Sequence, residues 1–309
     1  MIDVSIILVN YKTSKFVHDV ISSIKEKSQG FSYEIIVVDN SNDIDEFNQL
    51  LDLEGQGVKV VDAKDNLGFG KANNLGAQYA SGKYLYCLNT DTILMNNAIF
   101  ELKDFLDKHD NVAVVGSNLY TKEDEPNHSF YPIEKNLKNE KKMVGLKTAF
   151  IKFITRKRKD FNYTDTPLKI EGYVCGASMM IRKDVFDQLG GFDRDIFMYA
   201  EESLLCYRVI HELKKDIYNI PSSKIIHFEG GSFEKEVPYN HAKIMIDGNC
   251  VYYNKLFGKE ETIKFLRWNI YNFKKKQFIS LFIKRNKHDS FRNLVDAYQD
   301  KLKEVLNDY

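Results

Sequence analysis

The chain has 309 residues, 43% hydrophobic and 28% charged, which suits a soluble globular protein of one large domain with an appendage, or of two domains. Its 44 basic and 44 acidic side chains cancel, so nothing global favours nucleic acid, and a charged partner must meet a local patch. No apolar run approaches a membrane-spanning length, and residues 1–10 lack the basic start, apolar core and cleavage site of a signal peptide, so the expectation is a cytoplasmic protein.

Val4 to Val9 is a nearly continuous apolar run, as expected for a strand covered on both faces, and it ends at Asn10-Tyr11. Ser14 then caps a predicted helix with Phe16, Val17, Val20, Ile21 and Ile24 as its apolar stripe. A second strand, Glu34 to Val38, ends at Asp39-Asn40-Ser41-Asn42. Strand, helix, strand in this rhythm predicts a right-handed βαβ unit and a parallel sheet. A third strand, Val58 to Val61, leads into Asn66 to Gly76, a glycine-loosened turn opening a helix.

The run Tyr84 to Leu88 reads as a buried strand that stops abruptly at Asn89-Thr90-Asp91-Thr92. A helix is predicted from about Asn97 to His109 and a strand from Val112 to Val115. In a doubly wound sheet the ends at Asn10-Tyr11, Asp39-Asn40 and Asn89-Asp91 share one edge, beside the ligand crevice. Polar strand ends are also ordinary turn chemistry, but two Asp residues at neighbouring ends single out Asp39 and Asp91.

Residues 121–165 lose periodicity, and Lys135 to Lys159 are rich in Lys and Arg. They read as a mobile insertion, either a solvated loop or a basic lid over the crevice. Gly172 to Ile181 reads as one strand with a small-residue waist at Gly176-Ala177-Ser178, where a substrate can approach the backbone. A short helix, Lys183 to Leu189, is stopped by Gly190-Gly191. Glu201 and Glu202 open the next helix, in the first turn, where the helix dipole alone also favours carboxylates. Ile217 to Ile220 and Lys224 to Ile226 read as short strands, the second running into His227.

The remainder is helical: Tyr239 to Leu256, ending at Gly258; Thr262 to Lys284, with Ile263, Leu266, Ile270 and Phe273 at helical spacing; and a last helix striped by Phe291, Leu294, Tyr298, Leu302 and Val305. Lys274, Lys275, Lys276, Lys284 and Arg285 make these helices basic. Such helices either lie on an anionic membrane face or pack on their own domain or a second subunit, so contact with a membrane surface and a homodimer both stand as expectations. The four widely spaced cysteines read as reduced core residues.

In this order, Ser5 to Tyr11, Ile35 to Ser41, Asn66-Leu-Gly-Phe with Asn73 to Gly76, Leu88 to Thr92, Cys175-Gly-Ala with Gly190 to Asp193, Phe197 to Glu202, and His227 resemble the inverting family 2 glycosyltransferases of the GT-A fold. The likeness is to the rhamnosyltransferase-like members that build bacterial surface polysaccharides, such as capsule or cell wall, and covers about residues 3–258. It implies an α/β fold, a mostly parallel mixed sheet flanked by helices. The catalytic domain would take residues 1–237, split into a nucleotide-binding half at 1–120, the basic insertion at 121–165 and an acceptor half at 166–237; a helical extension would follow at 238–309.

The resemblance also assigns roles. Asp39 holds the base, with Asn10 and Tyr11 beside it and Asn66, Gly68, Lys71, Asn73 and Asn89 around the nucleotide. An ionised Asp only accepts, which matches the imino N–H of uracil or thymine and so a UDP- or dTDP-sugar. Asp91 is the metal residue, with His227 as second ligand to Mn²⁺ or Mg²⁺. Asn89 stands where the family has a carboxylate, which leaves one strong anionic ligand. Glu202 matches the catalytic base, with Glu201 next to it, and Gly176, Ala177 and Asp193 fall in the sugar or acceptor pocket.

The subgroup runs Glu-Asp-x-Asp-Leu-Cys where this chain has Glu201-Glu-Ser-Leu-Leu-Cys206. That departure keeps open an alternative, a catalytically impaired relative that binds nucleotide-sugar or glycan. The lead expectation is transfer of rhamnose or another hexose to a saccharide, lipid-linked at the inner membrane face. A nucleotidyltransferase would need a glycine-rich basic loop after the first strand, and Asn10 to Ser14 offers none.

Overall fold

A computed structural model describes residues 2–55, 57–123, 125–144, 166–228, 237–283 and 287–307. The chain runs β1 (Val4–Asn10), α1 (Ser14–Lys27), β2 (Tyr33–Asp39), α2 (Ile44–Leu51), β3 (Val58–Asp62), α3 (Phe69–Ala77), β4 (Tyr84–Leu88), β5 (Thr92–Leu94), α4 (Ala98–Lys108) and β6 (Val112–Lys122). Then come β7 (Glu125–Pro126), β8 (Phe130–Tyr131), α5 (Leu137–Val144), β9 (Leu168–Lys169), β10 (Tyr173–Val174), β11 (Ser178–Arg182), α6 (Lys183–Leu189), α7 (Glu201–His211) and β12 (Asp216–His227). Two helices close it, α8 (Tyr239–Ile283) and α9 (His288–Asn307).

The main sheet has the order β3-β2-β1-β4-β11-β6-β12-β5. β3, β2, β1 and β4 are mutually parallel, and β6 and β12 run with them. β11 lies antiparallel between β4 and β6, and β5 is antiparallel to β12. The expected mostly parallel, mixed sheet flanked by helices is what the chain forms.

Both faces are covered, which is why the strands read as unbroken apolar runs. Side chains alternate along each strand. Val4, Ile6 and Leu8 of β1 join Val17, Val20 and Ile24 of α1 and Leu102 and Leu106 of α4 on one face. Ile7, Ile36 and Val38 join Ala72 of α3, Phe186 of α6 and Leu205 and Val209 of α7 on the other. A third core lies between the sheet domain and the terminal helices, where Ile196, Ala200 and Leu204 meet Ile246, Tyr253 and Phe265 of α8 and Leu294 and Tyr298 of α9.

Two local expectations change. Gly172 to Ile181 is two strands, because Ser178 N–H turns back to the Cys175 carbonyl at 3.2 Å. β10 then pairs with β8, and only β11 joins the main sheet. The two strands expected at 217–226 are one, irregular between Ile220 and Lys224, where Pro221 has no N–H to give the ladder. α8 breaks where its glycine suggested, at Gly258 with φ +80°.

Residues 121–144, expected within a mobile insertion, carry β7, β8 and α5, with Phe130 and Leu137 buried. The Tyr252 hydroxyl donates to the Lys135 carbonyl at 2.7 Å and Tyr253 to Glu140 at 2.8 Å, so α8 holds this stretch down. The rest of that expectation, residues 145–165, and the basic residues Lys284 and Arg285 lie outside the described residues. Leu266, Ile270 and Phe273 of α8 pack in one cluster with Phe291, Leu294, Tyr298, Leu302 and Val305 of α9, so the apolar stripes cover each other. Among the described residues no helix is long and apolar enough to cross a membrane.

Candidate active site

The carboxyl ends of β1, β2 and β4 lie side by side. Asn10 and Asp39 are register partners, and Asn10 Nδ2 donates to Asp39 Oδ1 at 2.9 Å. Asp39 is 1% exposed and also accepts from Ser41 N at 3.3 Å and Ser41 Oγ at 3.0 Å. Of about four acceptor positions on an ionised carboxylate, these three bonds leave one on Oδ2. Glu46 of α2 accepts from Asn10 Nδ2 at 3.1 Å, which sequence reasoning missed because only tertiary packing brings α2 here. Tyr11 is half exposed at the rim.

Asn40 latches the next loop. Its Nδ2 donates to Asn66 Oδ1 at 3.0 Å, and its Oδ1 accepts from Leu67 N at 2.8 Å. Asn66 Oδ1 also takes Gly68 N–H at 3.1 Å. Gly68 has φ +78°, and a Cβ there would sit 2.0 Å from the Phe197 carbonyl oxygen, so only glycine fits. Lys71 is half-buried in the first turn of α3. Asn73 is 1% exposed; its Nδ2 donates to its own helix, to Phe69 O at 3.0 Å, and its Oδ1 is buried without a hydrogen-bond partner.

After β4 the chain turns through Asn89 to Asp91. Thr90 Oγ1 meets Thr13 Oγ1 at 3.2 Å, tying this turn to the end of β1. β5 pairs antiparallel with β12, setting Thr92 opposite His227. That pairing brings His227 Nε2 to 3.3 Å from Asp91 Oδ1 and 3.5 Å from Asn89 Nδ2. Phe228 N–H donates to the Asp91 carbonyl at 3.0 Å, so Asp91 and His227 are coupled through backbone as well.

Those two side chains fit a divalent cation. Ligands about 2.1 Å from a six-coordinate ion and at right angles lie about 3 Å apart, close to the spacing observed. One carboxylate and one imidazole suit Mn²⁺ better than Mg²⁺, which prefers oxygen throughout. Among the described residues no group of three His, Cys, Asp or Glu side chains is placed to hold a metal.

The turn between β10 and β11 reaches the same place. Asn89 N–H donates to the Ala177 carbonyl at 3.0 Å, and a Cβ on Gly176 would touch the Phe69 ring at 3.5 Å. Asp193 is ion-paired: its two carboxylate oxygens lie 3.0 and 2.7 Å from Lys255 Nζ of α8. It clamps the terminal helices to the sheet domain.

Phe69 N–H donates to the Phe197 carbonyl at 3.1 Å, linking the loop that holds Gly68 to the turn before α7. Glu201 and Glu202 open α7. Burial, and then the neighbouring Glu202 charge, push the Glu201 carboxyl well above the usual range. Its Oε2 is buried without a hydrogen-bond partner. Burial also raises Glu202, while a backbone N–H and the Lys135 ammonium favour its charged form. Lys135 falls in the tract expected to be either a solvated loop or a basic lid. Its Nζ instead lies 5.2 Å from the Tyr252 ring and 5.9 Å from that of Tyr173, facing inward.

Leu204, where the resembled family carries a second Asp, is 2% exposed in the core shared with the terminal helices. An unpaired carboxylate would be costly there. A surface concavity of about 380 Å³ around Lys83, Arg182 and Asp187 lies at the opposite end of β4.

A family model described as Glycosyl transferase family 2 matches residues 5–190, more than half of the chain. The low-salt glycan biosynthesis hexosyltransferase Agl10 of Haloferax volcanii is 27% identical over 68% of this chain and 62% of its own length. The dTDP-rhamnosyl transferase RfbF of Shigella flexneri is 25% identical over 63% of this chain and 60% of its own. The chain thus spans about three-fifths of these relatives. The crystal structure of GalNAc-T7 with UDP, GalNAc and Mn²⁺ superposes with a TM-score of 0.55 at 16% identity, covering 82% of this chain and 50% of that one. This last likeness concerns the fold alone.

Proposed function

The chain belongs to glycosyl transferase family 2, and on that premise we propose that it transfers a hexose or rhamnose, with inversion, from a UDP- or dTDP-sugar to a saccharide acceptor. The observation that carries this reading is the 3.3 Å approach of Asp91 Oδ1 and His227 Nε2 beside Asn89, at the edge that also holds Asp39. Donor chemistry follows from the free acceptor position on Asp39, which suits the imino N–H of uracil or thymine, with Tyr11 offering a half-exposed ring for stacking. The Asn66 to Gly68 turn closes on the nucleotide from the other side. Asp91 and His227 would hold Mn²⁺, which supplies positive charge to the diphosphate when bound.

Glu202 takes the acceptor proton. As the hydroxyl oxygen bonds to the anomeric carbon, its O–H electrons stay on oxygen and the proton passes to the Glu202 carboxylate. The bond from the anomeric carbon to the diphosphate breaks on the opposite face, which inverts the centre. Glu201, buried without a partner for Oε2, is favoured in its neutral form and leaves Glu202 as the carboxylate of the pair. Exposed Lys274, Lys275 and Tyr271 on α8 supply the basic, aromatic surface that a lipid-linked acceptor at a membrane face would meet.

The test is a panel of UDP- and dTDP-sugars with saccharide acceptors, with and without EDTA, on wild type, Asp91→Ala and Glu202→Gln. The reading expects metal-dependent transfer, abolished by Asp91→Ala and slowed about 10²–10⁴-fold by Glu202→Gln. Donor binding without transfer or hydrolysis would replace it with a binding protein. Full activity of Glu202→Gln would move the base elsewhere.

A further inference from the structure

We propose that the first turns of α8 are a positioning element for the transfer reaction: Gly248 and His241 hold the strained turn from which Glu201 and Glu202 project. The inference rests on the reading of that pair as the proton-accepting group.

The turn is unusual backbone. Tyr199 has φ +67° and Ala200 φ +85°, two consecutive left-handed residues, neither of them glycine, directly before α7. Such backbone persists only where its surroundings over-determine it. Ala200 also serves as N-cap with no side-chain cap hydrogen bond. Ser, Thr or Asp normally sets a helix start. Here the start of α7, and so the direction of both carboxylates, depends on the turn alone. Its first hydrogen bond, Leu204 N–H to Ala200 O at 2.9 Å, begins at the strained residue itself.

Two surfaces grip this segment. On the donor side stand the Phe69 to Phe197 hydrogen bond and the Cβ-free face of Gly68. On the other side stands α8. A Cβ on Gly248 would fall 2.1 Å from the Tyr199 carbonyl oxygen and 2.6 Å from that of Met198, so the helix touches the turn backbone to backbone. The Tyr199 hydroxyl and His241 Nε2 share a hydrogen bond of 2.7 Å, and their rings stack at 5.4 Å and 17°. Residues 241 and 248 lie two helical turns apart, hence on one face. That face meets the turn at two levels, through a hydrogen-bonded ring pair and a bare backbone.

The test uses the full chain with UDP-galactose and dTDP-rhamnose as donors, reading release of UDP or dTDP, and binding of UDP or dTDP alone by calorimetry. A displacement of about 1 Å at reacting groups costs about 100-fold in rate, so Gly248→Ala should lower kcat about 10–100-fold while nucleotide affinity stays within about twofold. His241→Phe keeps a ring and loses one hydrogen bond, worth about threefold to tenfold in kcat. Tyr199→Phe should match it, and the double variant should lose no more than either alone. Gly258→Ala, at a positive φ in the same helix with nothing within 4 Å, controls for general destabilisation and should keep wild-type kcat.

Unchanged kcat in both Gly248→Ala and His241→Phe, or an equal loss in Gly258→Ala, overturns the proposal. Failure of the underlying reading shows separately, as full activity of Glu202→Gln. Should neither donor turn over in wild type, hydrogen exchange of the Phe69 amide decides: Gly248→Ala must accelerate it, and an unchanged rate refutes the coupling.

Discussion

Replacing Asn40 with Ala isolates the latch on the donor loop. Asn40 is 3% exposed and bridges two segments, donating to Asn66 Oδ1 at 3.0 Å and accepting from Leu67 N at 2.8 Å. Truncation removes both bonds, together with a weaker 3.5 Å one from Nδ2 to the Gly68 carbonyl, and strands the Leu67 N–H. At about 0.5–1.5 kcal/mol each the two bonds sum to about 1–3 kcal/mol. For a chain of this size that is a fall in Tm of roughly 2–6 °C. The same atoms hold the Asn66 to Gly68 turn, which a bound nucleotide must then order for itself. If about 1.4 kcal/mol of the loss is recovered only on binding, UDP or dTDP binds about tenfold more weakly. Thermal melting and calorimetric titration measure the two effects on one sample. Asn40→Asp keeps an acceptor for Leu67 but sets a carboxylate against Asn66 Oδ1, and should fall between wild type and Ala. A lowered Tm with wild-type nucleotide affinity would refute the placement of this loop at the donor.

Three further outcomes are expected. Lys135→Met removes a charge that favours ionised Glu202, so the Glu202 carboxyl rises further and the acid limb of the kcat profile moves to higher pH; an unmoved limb contradicts the role given to Lys135. Glu201 has a folded-state value raised well above the ordinary 4.5, by burial and then by Glu202. Its contribution is therefore favourable below the unfolded value and is lost as pH rises through the folded one. Glu201→Met should gain stability over wild type more at about pH 8 than at about pH 5, and a pH-independent difference would argue against a buried, proton-holding carboxyl. His227→Ala should raise the Mn²⁺ concentration for half-maximal turnover about 10–100-fold, with kcat at saturating metal less affected; an unchanged Mn²⁺ requirement removes His227 from the metal.

Much of this was legible because it is local. β1, β2 and β4 announced themselves as apolar runs with polar ends, and Lys183–Leu189 with its following glycines was read to the residue. Asn10, Asp39 and Asp91 followed from the rule that such ends share an edge. The parts that were not legible depend on pairing across the sheet. β5 has three residues, too short for any alternation to register, yet its pairing with β12 is what delivers His227 to Asp91. Glu46 and Lys135 carry no local signature and matter only through what tertiary packing sets beside them. Asn73 and Asp193 matched by position along the chain, but one is bound within its own helix and the other engaged by Lys255, and linear order holds no trace of either.

One feature of the sheet bears on how substrates get in and out. Because β11 is threaded between β4 and β6 and hydrogen-bonded to both, the strands carrying the Asp39 and Asp91 ends and the strand carrying His227 belong to a single continuous ladder. Prising them apart as two jaws would break a run of backbone bonds at once. On the proposed reading, admission of a donor and release of the spent nucleotide would fall to the rim, to the Asn66 to Gly68 loop, while the floor stays rigid. On that reading, turnover would be gated by small loop excursions rather than by the swing of whole domains.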